Sequence, residues 1–360
     1  ANYSYGGAFS SMQAGLQIIT INTVIYSVSH KPTNRDMGPD PFGQFAWLRR
    51  QLRAAKARGK PAWIVGHIPP GIETYGYSEL WKSNYTAAYL EVVQDSELGP
   101  YIAAQLFGHI HACEFRLLPN ATADTGPILL SGALSPVYYN NPAYRIIEYD
   151  DETHRPVGMT VYTAPIEPGG STPLDWRLGI NVTSAYSALA AAVEHDGYLT
   201  NEAYAELADD LAEGGEDWNT FARWYKANYT NDLMSYGTDP LVPGSNAEIR
   251  SFYSTYLCAT ALVATEAEFL ACVNGTTSMP TAAPTAAPKE SEAKTFENAW
   301  VVWFLGSCAV VMGLGTAALF YRRGALPEAM TSKRVPLSEK EELPAAAVSD
   351  AFDITESGDT

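Results

Sequence analysis

The sequence predicts an α/β (α+β) domain built in layers and followed by a helical subdomain. Short apolar runs rich in β-branched residues alternate with helical segments in the first half of the chain, and further strands follow. From about residue 184 the chain is rich in Ala, Glu, Leu and aromatic residues. Such an alternation favours layers, because each strand or helix must bury an apolar face against another element. With 360 residues, 46% of them hydrophobic, the chain can form about two domains.

The first predicted elements are a strand, a helix and a second strand. The run LQIITINTVI, residues 16–25, is typical of a buried strand. Asp40 and Pro41 then supply a helix N-cap and a proline at the first helical position, and apolar residues recur at helical spacing until Gly59. The run AWIV, residues 62–65, is a second short buried strand.

The later elements follow from the same periodicities. Helices are expected over about 85–98, 184–195, 201–213 and 216–229. Strands are expected over 103–107, 114–118, 128–130, 145–149 and 159–162.

An uncharged run of 23 residues, 299–321, has the length of a transmembrane helix. A buried core helix is the alternative. Aromatic residues flank the run, and Arg322 and Arg323 follow it. Because basic residues stay on the cytoplasmic side, the tail 322–360 is expected in the cytosol, without order, and residues 1–298 outside it or in a lumen. The sequence thus predicts a single-pass type I membrane protein, with a signal peptide upstream.

The residues before this run have features of a secreted or lumenal chain. Residues 274–298 are rich in Pro, Ala, Thr and Ser, which predicts an unfolded stalk. Six Asn-x-Ser/Thr sequons precede the apolar run, and none follows it. They begin at Asn2, Asn84, Asn120, Asn181, Asn228 and Asn274.

The charge balance argues against one class of partner. Lys and Arg number 23 against 40 Asp and Glu, for a net charge of −17. Proteins that bind the phosphate backbone need the opposite sign, so duplex nucleic acid is not expected as a partner.

Two of the four cysteines are candidates for a disulfide. Cys258 and Cys272 lie in the last folded stretch and could close a modest loop in an oxidising compartment. Cys113 and Cys308 have no evident partner.

Histidines follow two of the predicted strands directly. His67 comes after AWIV in the run GHIPPG, and His109 and His111 come after AAQLF in the run GHIH. Ligands collect at the carboxyl ends of strands in open α/β sheets. In extended backbone, His109 and His111 would point to the same side. Imidazoles on one face are natural ligands for zinc or another divalent ion, so the three are predicted as metal ligands.

These runs resemble a known family. GHIPPG followed by LFGHIHACEF is similar to the second half of the calcineurin-like metallophosphoesterases, and more narrowly to their acid sphingomyelinase branch. The resemblance starts near Gly6 and Gly7. It includes LQIITINT, DPFGQFAWLRRQL and SPVYYNNPAYRIIEYD, and continues more weakly to about Cys272.

The resemblance implies a fold and a domain plan. Residues 1–183 would be the C-terminal part of a catalytic domain, a layered β-sandwich flanked by helices. Residues 184–273 would be the helical subdomain, before the stalk and the transmembrane helix.

The resemblance also implies a mechanism. The family holds two divalent metal ions, usually Zn²⁺, with a hydroxide between them that attacks a phosphodiester, and His67, His109 and His111 match three of its ligands. It implies a metal-dependent phosphodiester hydrolase resembling acid sphingomyelinase, which converts sphingomyelin to ceramide and phosphocholine. The substrate would be a phospholipid or a nucleotide. A nucleotide phosphodiesterase, an endopolyphosphatase and a catalytically inactive cell-surface binding module are the alternatives.

Some of the family's motifs do not occur in this chain. The D-x-H, Gly-Asp and Gly-Asn-His motifs would precede residue 1 in the family order, together with the histidine that protonates the leaving group. The expectation is therefore the C-terminal part of a longer enzyme with an incomplete ligand set. Tyr138, Tyr139, Asn140 and Asn141 resemble a family loop near the substrate, although a polar turn explains them equally well.

Overall fold

The computed structural model describes twelve segments, all within one compact unit, Ala1–Arg323. These segments are 6–31, 37–73, 78–118, 121–122, 124–137, 140–166, 174–225, 227, 256–260, 265–274, 299–305 and 317–322. Apart from Asn274 and Arg322, the predicted stalk and tail lie outside them. Tyr138, Tyr139 and the sequon asparagines Asn2, Asn120 and Asn228 also lie outside them.

The first layer is a six-stranded sheet with the order β1-β2-β3-β4-β6-β5. Its strands are β1 Phe9–Gln13, β2 Leu16–Thr20, β3 Ala62–Val65, β4 Ile102–Phe107, β5 Glu114–Arg116 and β6 Ile128–Leu130. Strands β2, β3, β4 and β6 are parallel neighbours, whereas β1 and β5 are antiparallel edge strands. The prediction for 16–25 was too long, because Val24–Tyr26 forms a 3₁₀ turn after β2.

The second layer is an antiparallel five-stranded sheet with the order β11-β10-β7-β8-β9. Its strands are β7 Ala143–Asp150, β8 Pro156–Thr163, β9 Arg177–Asn181, β10 Ala299–Leu305 and β11 Ala317–Arg322. In β7, buried and half-buried residues alternate, so every second side chain faces the core.

The structure differs from the predicted transmembrane helix at both ends of 299–321. Strand β10 pairs with β7 and β11 there, and residues 306–316 lie outside the described part. The Val-, Trp- and Phe-rich ends of the run suit a strand, and β7 offers them an edge with free backbone groups. Within the described residues, no helix is both long enough and apolar enough to cross a bilayer.

The two sheets pack face to face around one hydrophobic core. The Trp63 ring of β3 meets the Tyr149 ring of β7 edge-on, with 5.5 Å between centroids. Its Nε1 donates a hydrogen bond of 2.7 Å to the carbonyl of His154. His154 is buried, because the β7–β8 turn folds over the start of β3.

Two helices cover the open face of the first sheet. Helix α1, Gln44–Arg58, begins after a 3₁₀ turn at Pro41–Gly43, and α2 spans Ser83–Val93. The Asp40 carboxylate accepts hydrogen bonds from the amides of Phe45 and Ala46, so it caps α1 as predicted although the helix starts later. Gly59 ends α1 in the left-handed conformation.

The region predicted to be a helical subdomain has helices close to the three ranges predicted for it, 184–195, 201–213 and 216–229. It contains α3 Val182–Ala185, α4 Ser187–His195, α5 Asn201–Glu213, α6 Gly215–Tyr225 and α7 Glu266–Val273, with a further helical turn at 256–260. A disulfide joins Cys258 and Cys272, which confirms the predicted pairing. Cys113 is a buried free thiol, and Cys308 lies outside the described residues.

Candidate metal centre

The three predicted histidines gather at the carboxyl ends of β3 and β4. These strands are parallel neighbours, with Val65 paired to Leu106, so the loops that follow them start side by side. The Gly108 amide donates to the His67 carbonyl at 2.9 Å, which ties the two loops together. Parallel pairing therefore brings together histidines that are far apart in sequence.

Gly66 lets the His67 loop lie close to its neighbours. A β-carbon at this position would lie 2.6 Å from the Phe107 ring and 2.8 Å from the Thr23 methyl group. The Thr23 hydroxyl accepts hydrogen bonds from the amides of His67 and Ile68. Thr23 was not among the predicted site residues, and the sequence signals it only as a polar residue inside the first apolar run.

His67 and His109 are in direct contact. His67 Nε2 and His109 Nδ1 are 3.3 Å apart, and the two rings meet edge-on at 81°. In a tetrahedral zinc site with Zn–N bonds of about 2.0–2.1 Å, two ligand nitrogens lie about 3.3 Å apart. The separation thus fits two ligands of one ion.

His111 is buried and held from behind by the backbone. Its Nδ1 lies 3.2 Å from the Val137 carbonyl, which can only accept a hydrogen bond, so Nδ1 carries the proton and the lone pair for coordination is on Nε2. Such a backbone partner commonly orients a metal-binding histidine and sets its tautomer. Sequence reasoning had no signal for Val137, because its contribution is a main-chain oxygen.

Burial favours the neutral form of these rings. Burial, the largest cause, together with the nearby His67 and His111 lowers the pKa of His109 to about 4. Burial, followed by the effect of His111, also lowers the pKa of His67. A histidine must be neutral to bind a cation, so the cluster is ready to act as a ligand set at neutral and mildly acidic pH.

The backbone of the GHIH run differs from the prediction. The strand ends at Phe107, and His109 and His111 adopt positive φ angles of 74° and 57° instead of extended conformations. Left-handed backbone is uncommon outside glycine, and its cost of about 1–3 kcal/mol is typical of functional sites. The turn, not strand alternation, brings the rings together. Ile110, between the two histidines, is buried.

The ligand set is partial. Among the described residues, no three His, Cys, Asp or Glu side chains are arranged to hold a metal ion together. The donor chemistry fits a divalent ion through the His67–His109 pair, with His111 beside it. A complete site needs further ligands.

Asn140 and Asn141 have structural partners. The Asn140 amide donates to three carbonyl oxygens around its own turn, including that of Ser135. The Asn141 amide donates to the Ala227 carbonyl, and its oxygen accepts from the Ile166 amide. Both therefore brace the turn that carries Val137.

Comparisons with known proteins agree with the resemblance drawn from the motifs. The chain is 29% identical to "Sphingomyelinase phosphodiesterase D" of Dictyostelium discoideum over 242 residues, which are 65% of this chain and 53% of that protein. It is 33% identical to the human "Acid sphingomyelinase-like phosphodiesterase 3b" over 189 residues, 47% of this chain and 39% of that protein. It is 28% identical to "Sphingomyelinase phosphodiesterase C" of Dictyostelium discoideum, over 55% of this chain and 47% of that protein.

These matches confirm the resemblance to the acid sphingomyelinase-like branch. The chain spans about half the length of the curated relatives it matches. No family model matches it. The two mixed layers of sheet and helix fit a metallophosphoesterase-like fold.

Proposed function

We propose, from this relation, that the protein is a metal-dependent phosphodiester hydrolase of the acid sphingomyelinase type. The observation that carries the proposal is the 3.3 Å approach of His67 Nε2 to His109 Nδ1 at the ends of two parallel strands. The names of the relatives favour sphingomyelin as substrate.

His67, His109 and His111 would hold part of a divalent metal centre. Divalent ions, when bound, supply Lewis acidity and activate water for attack on phosphorus. The chain's own residues fix the ligands: Thr23 holds the His67 amide, and the Val137 carbonyl holds His111. The paired loops keep the rings in place before substrate arrives, which limits the reorganisation that metal binding requires.

The site is proposed to work outside the cytosol. The Cys258–Cys272 disulfide supports this, because such bonds persist in oxidising compartments. The sequon asparagines Asn84, Asn181 and Asn274 are exposed, so glycans could be accommodated there.

The test is His109→Ala in the full-length protein, with His195→Ala on exposed α4 as the matched control. Hydrolysis should be measured on sphingomyelin, a nucleotide phosphodiester and polyphosphate, with bound metal measured on the same samples. We expect His109→Ala to lose more than about 100-fold of the activity, since loss of an outer-shell partner alone costs about 10–100-fold. Metal content should fall with it.

Two results would overturn the proposal. Activity of His109→Ala within a few-fold of the unaltered protein would remove His109 from the metal centre. An unaltered, metal-loaded protein that hydrolyses none of the three substrates would favour the inactive binding module instead.

A further inference from the structure

A small cavity lies where β5 and β6 of the first sheet, β7 and β8 of the second sheet and the predicted helical region meet. Its volume is about 30 Å³, room for about one or two water molecules. Its lining is mostly apolar and includes Met159, Val161 and Phe221. The polar groups that face it are therefore few, and each needs a partner.

The buried guanidinium of Arg145 lines this cavity and has no carboxylate partner among the described residues. Arg145 is only 5% exposed, because it occupies a core-facing position of β7. Among the described residues, no carboxylate lies within ion-pair distance of it, and its Nε has no hydrogen-bond partner. Among the described residues, its Nη1 donates a hydrogen bond to the weakly accepting Met159 sulfur, at 3.7 Å. A guanidinium stays charged in proteins, and an uncompensated buried charge is costly.

The nearby carboxylate is already committed. Glu114 also lines the cavity, but its Oε2 lies 2.6 Å from Arg116 Nη1, and both side chains are fully buried. Its other oxygen accepts from the Tyr225 hydroxyl. Because Glu114 is paired with Arg116, it does not balance the charge of Arg145.

A second unpartnered donor faces the same space. The Tyr204 hydroxyl on α5 is buried and has no hydrogen-bond partner in the part of the chain that the structure describes. Burial raises the pKa of Tyr204, while the nearby Arg145 lowers it, so the two groups are close and the hydroxyl keeps its proton. A protonated hydroxyl and a guanidinium can both donate to one acceptor.

We propose that this cavity binds a monatomic anion, a halide such as chloride, between Arg145 and Tyr204. A water molecule would accept the same hydrogen bonds but would not offset the charge. A halide is only slightly larger than water, so it fits a cavity of about 30 Å³. Larger anions such as gluconate do not fit. The anion would link β7 to α5 and so fasten the helical subdomain to the sheet.

The experiment compares thermal unfolding of the full-length protein in sodium chloride and in sodium gluconate at equal ionic strength. We expect chloride to raise Tm by about 2–4 °C over gluconate. Arg145→Met should abolish this difference, whatever its effect on Tm itself. Tyr204→Phe should reduce it, and Arg53→Met, at an exposed position of α1, should keep it.

Bromide supplies the second readout. Crystals soaked in sodium bromide should show an anomalous peak beside Arg145. Equal Tm values in the two salts would mean that water fills the cavity and would overturn the proposal. A chloride effect that survives in Arg145→Met, or a bromide peak found only elsewhere, would overturn it as well.

Discussion

At the scale of single residues, His154 shows how a buried imidazole contributes to packing. Its Nδ1 donates to the Pro61 carbonyl at 3.0 Å, and its own carbonyl accepts from the Trp63 indole. Its φ of 59° lies in the left-handed region. Burial, the largest cause, lowers the pKa of His154 below its usual value. The folded protein therefore favours the neutral ring.

This makes His154 a source of acid sensitivity. The unfolded chain takes up a proton near pH 6.5, whereas the folded chain does so only at lower pH. The stabilisation that comes from the neutral His154 is complete above about pH 6.5 and is lost as the pH falls toward the pKa of His154 in the folded protein. The loss is no more than about 1.4 kcal/mol per pH unit.

We expect the free energy of unfolding to fall less for His154→Asn than for the unaltered protein when the pH is lowered from 7.5 to 5. Asn does not titrate, tolerates positive φ, and can donate to Pro61. Urea unfolding at several pH values measures how steeply the free energy of unfolding depends on pH, and His195→Asn at an exposed position is the control. Identical slopes for His154→Asn and the unaltered protein would contradict the assignment.

At the scale of elements, the C-terminal helical turn and α7 brace the loop that carries His67. The disulfide between Cys258 and Cys272 packs with Phe269 against Ile72, which is fully buried five residues after His67. Arg116 Nη2 also donates to the Ile72 carbonyl. The loop is thus held by side chains distant in sequence.

We expect the double substitution Cys258→Ser and Cys272→Ser to reduce the free energy of unfolding by about 3 kcal/mol. The cysteines are 14 residues apart, and a loop of that size restricts the unfolded chain by about this amount. Urea unfolding measures the loss, and Cys113→Ser tests whether removing a thiol alone has a similar effect. A double variant as stable as the unaltered protein would show that the disulfide does not restrict unfolding.

At the scale of the whole molecule, one buried ion pair connects the sheet, the helical subdomain and the histidine loop. Glu114 and Arg116 are fully buried on β5. Glu114 Oε1 accepts a hydrogen bond of 2.5 Å from the Tyr225 hydroxyl of α6. The Cys113 amide donates a second hydrogen bond to the Tyr225 carbonyl. Removing one partner leaves the other charge buried and unpaired.

We expect Glu114→Gln to destabilise the protein by about 3–5 kcal/mol, the usual cost of leaving a buried charge unpaired. Adding Arg116→Met should recover much of the loss, since the buried charge is then gone. Unfolding in urea distinguishes the variants. A loss below about 1 kcal/mol for Glu114→Gln would mean that the pair does not hold the subdomain to the sheet.

The sequence by itself determined the features that depend on neighbouring residues. Period-two and helical patterns placed most strands and helices, Asp40 and Gly59 marked the ends of α1, and the Gly-His runs placed the histidines at strand ends. These signals are local, because capping, turn preference and burial of one face act within a few residues.

Only the tertiary structure decided the features that depend on distant partners. The pairing of 299–305 with β7, the burial of His154 and the turn that joins His109 to His67 all depend on contacts across long stretches of chain. Arg145 lies on the face of β7 that also carries the buried Ala143, Ile147 and Tyr149, which a charged residue in the sequence does not indicate. Its lack of a carboxylate partner among the described residues is also a tertiary feature, because pairing of charges depends on which surfaces meet.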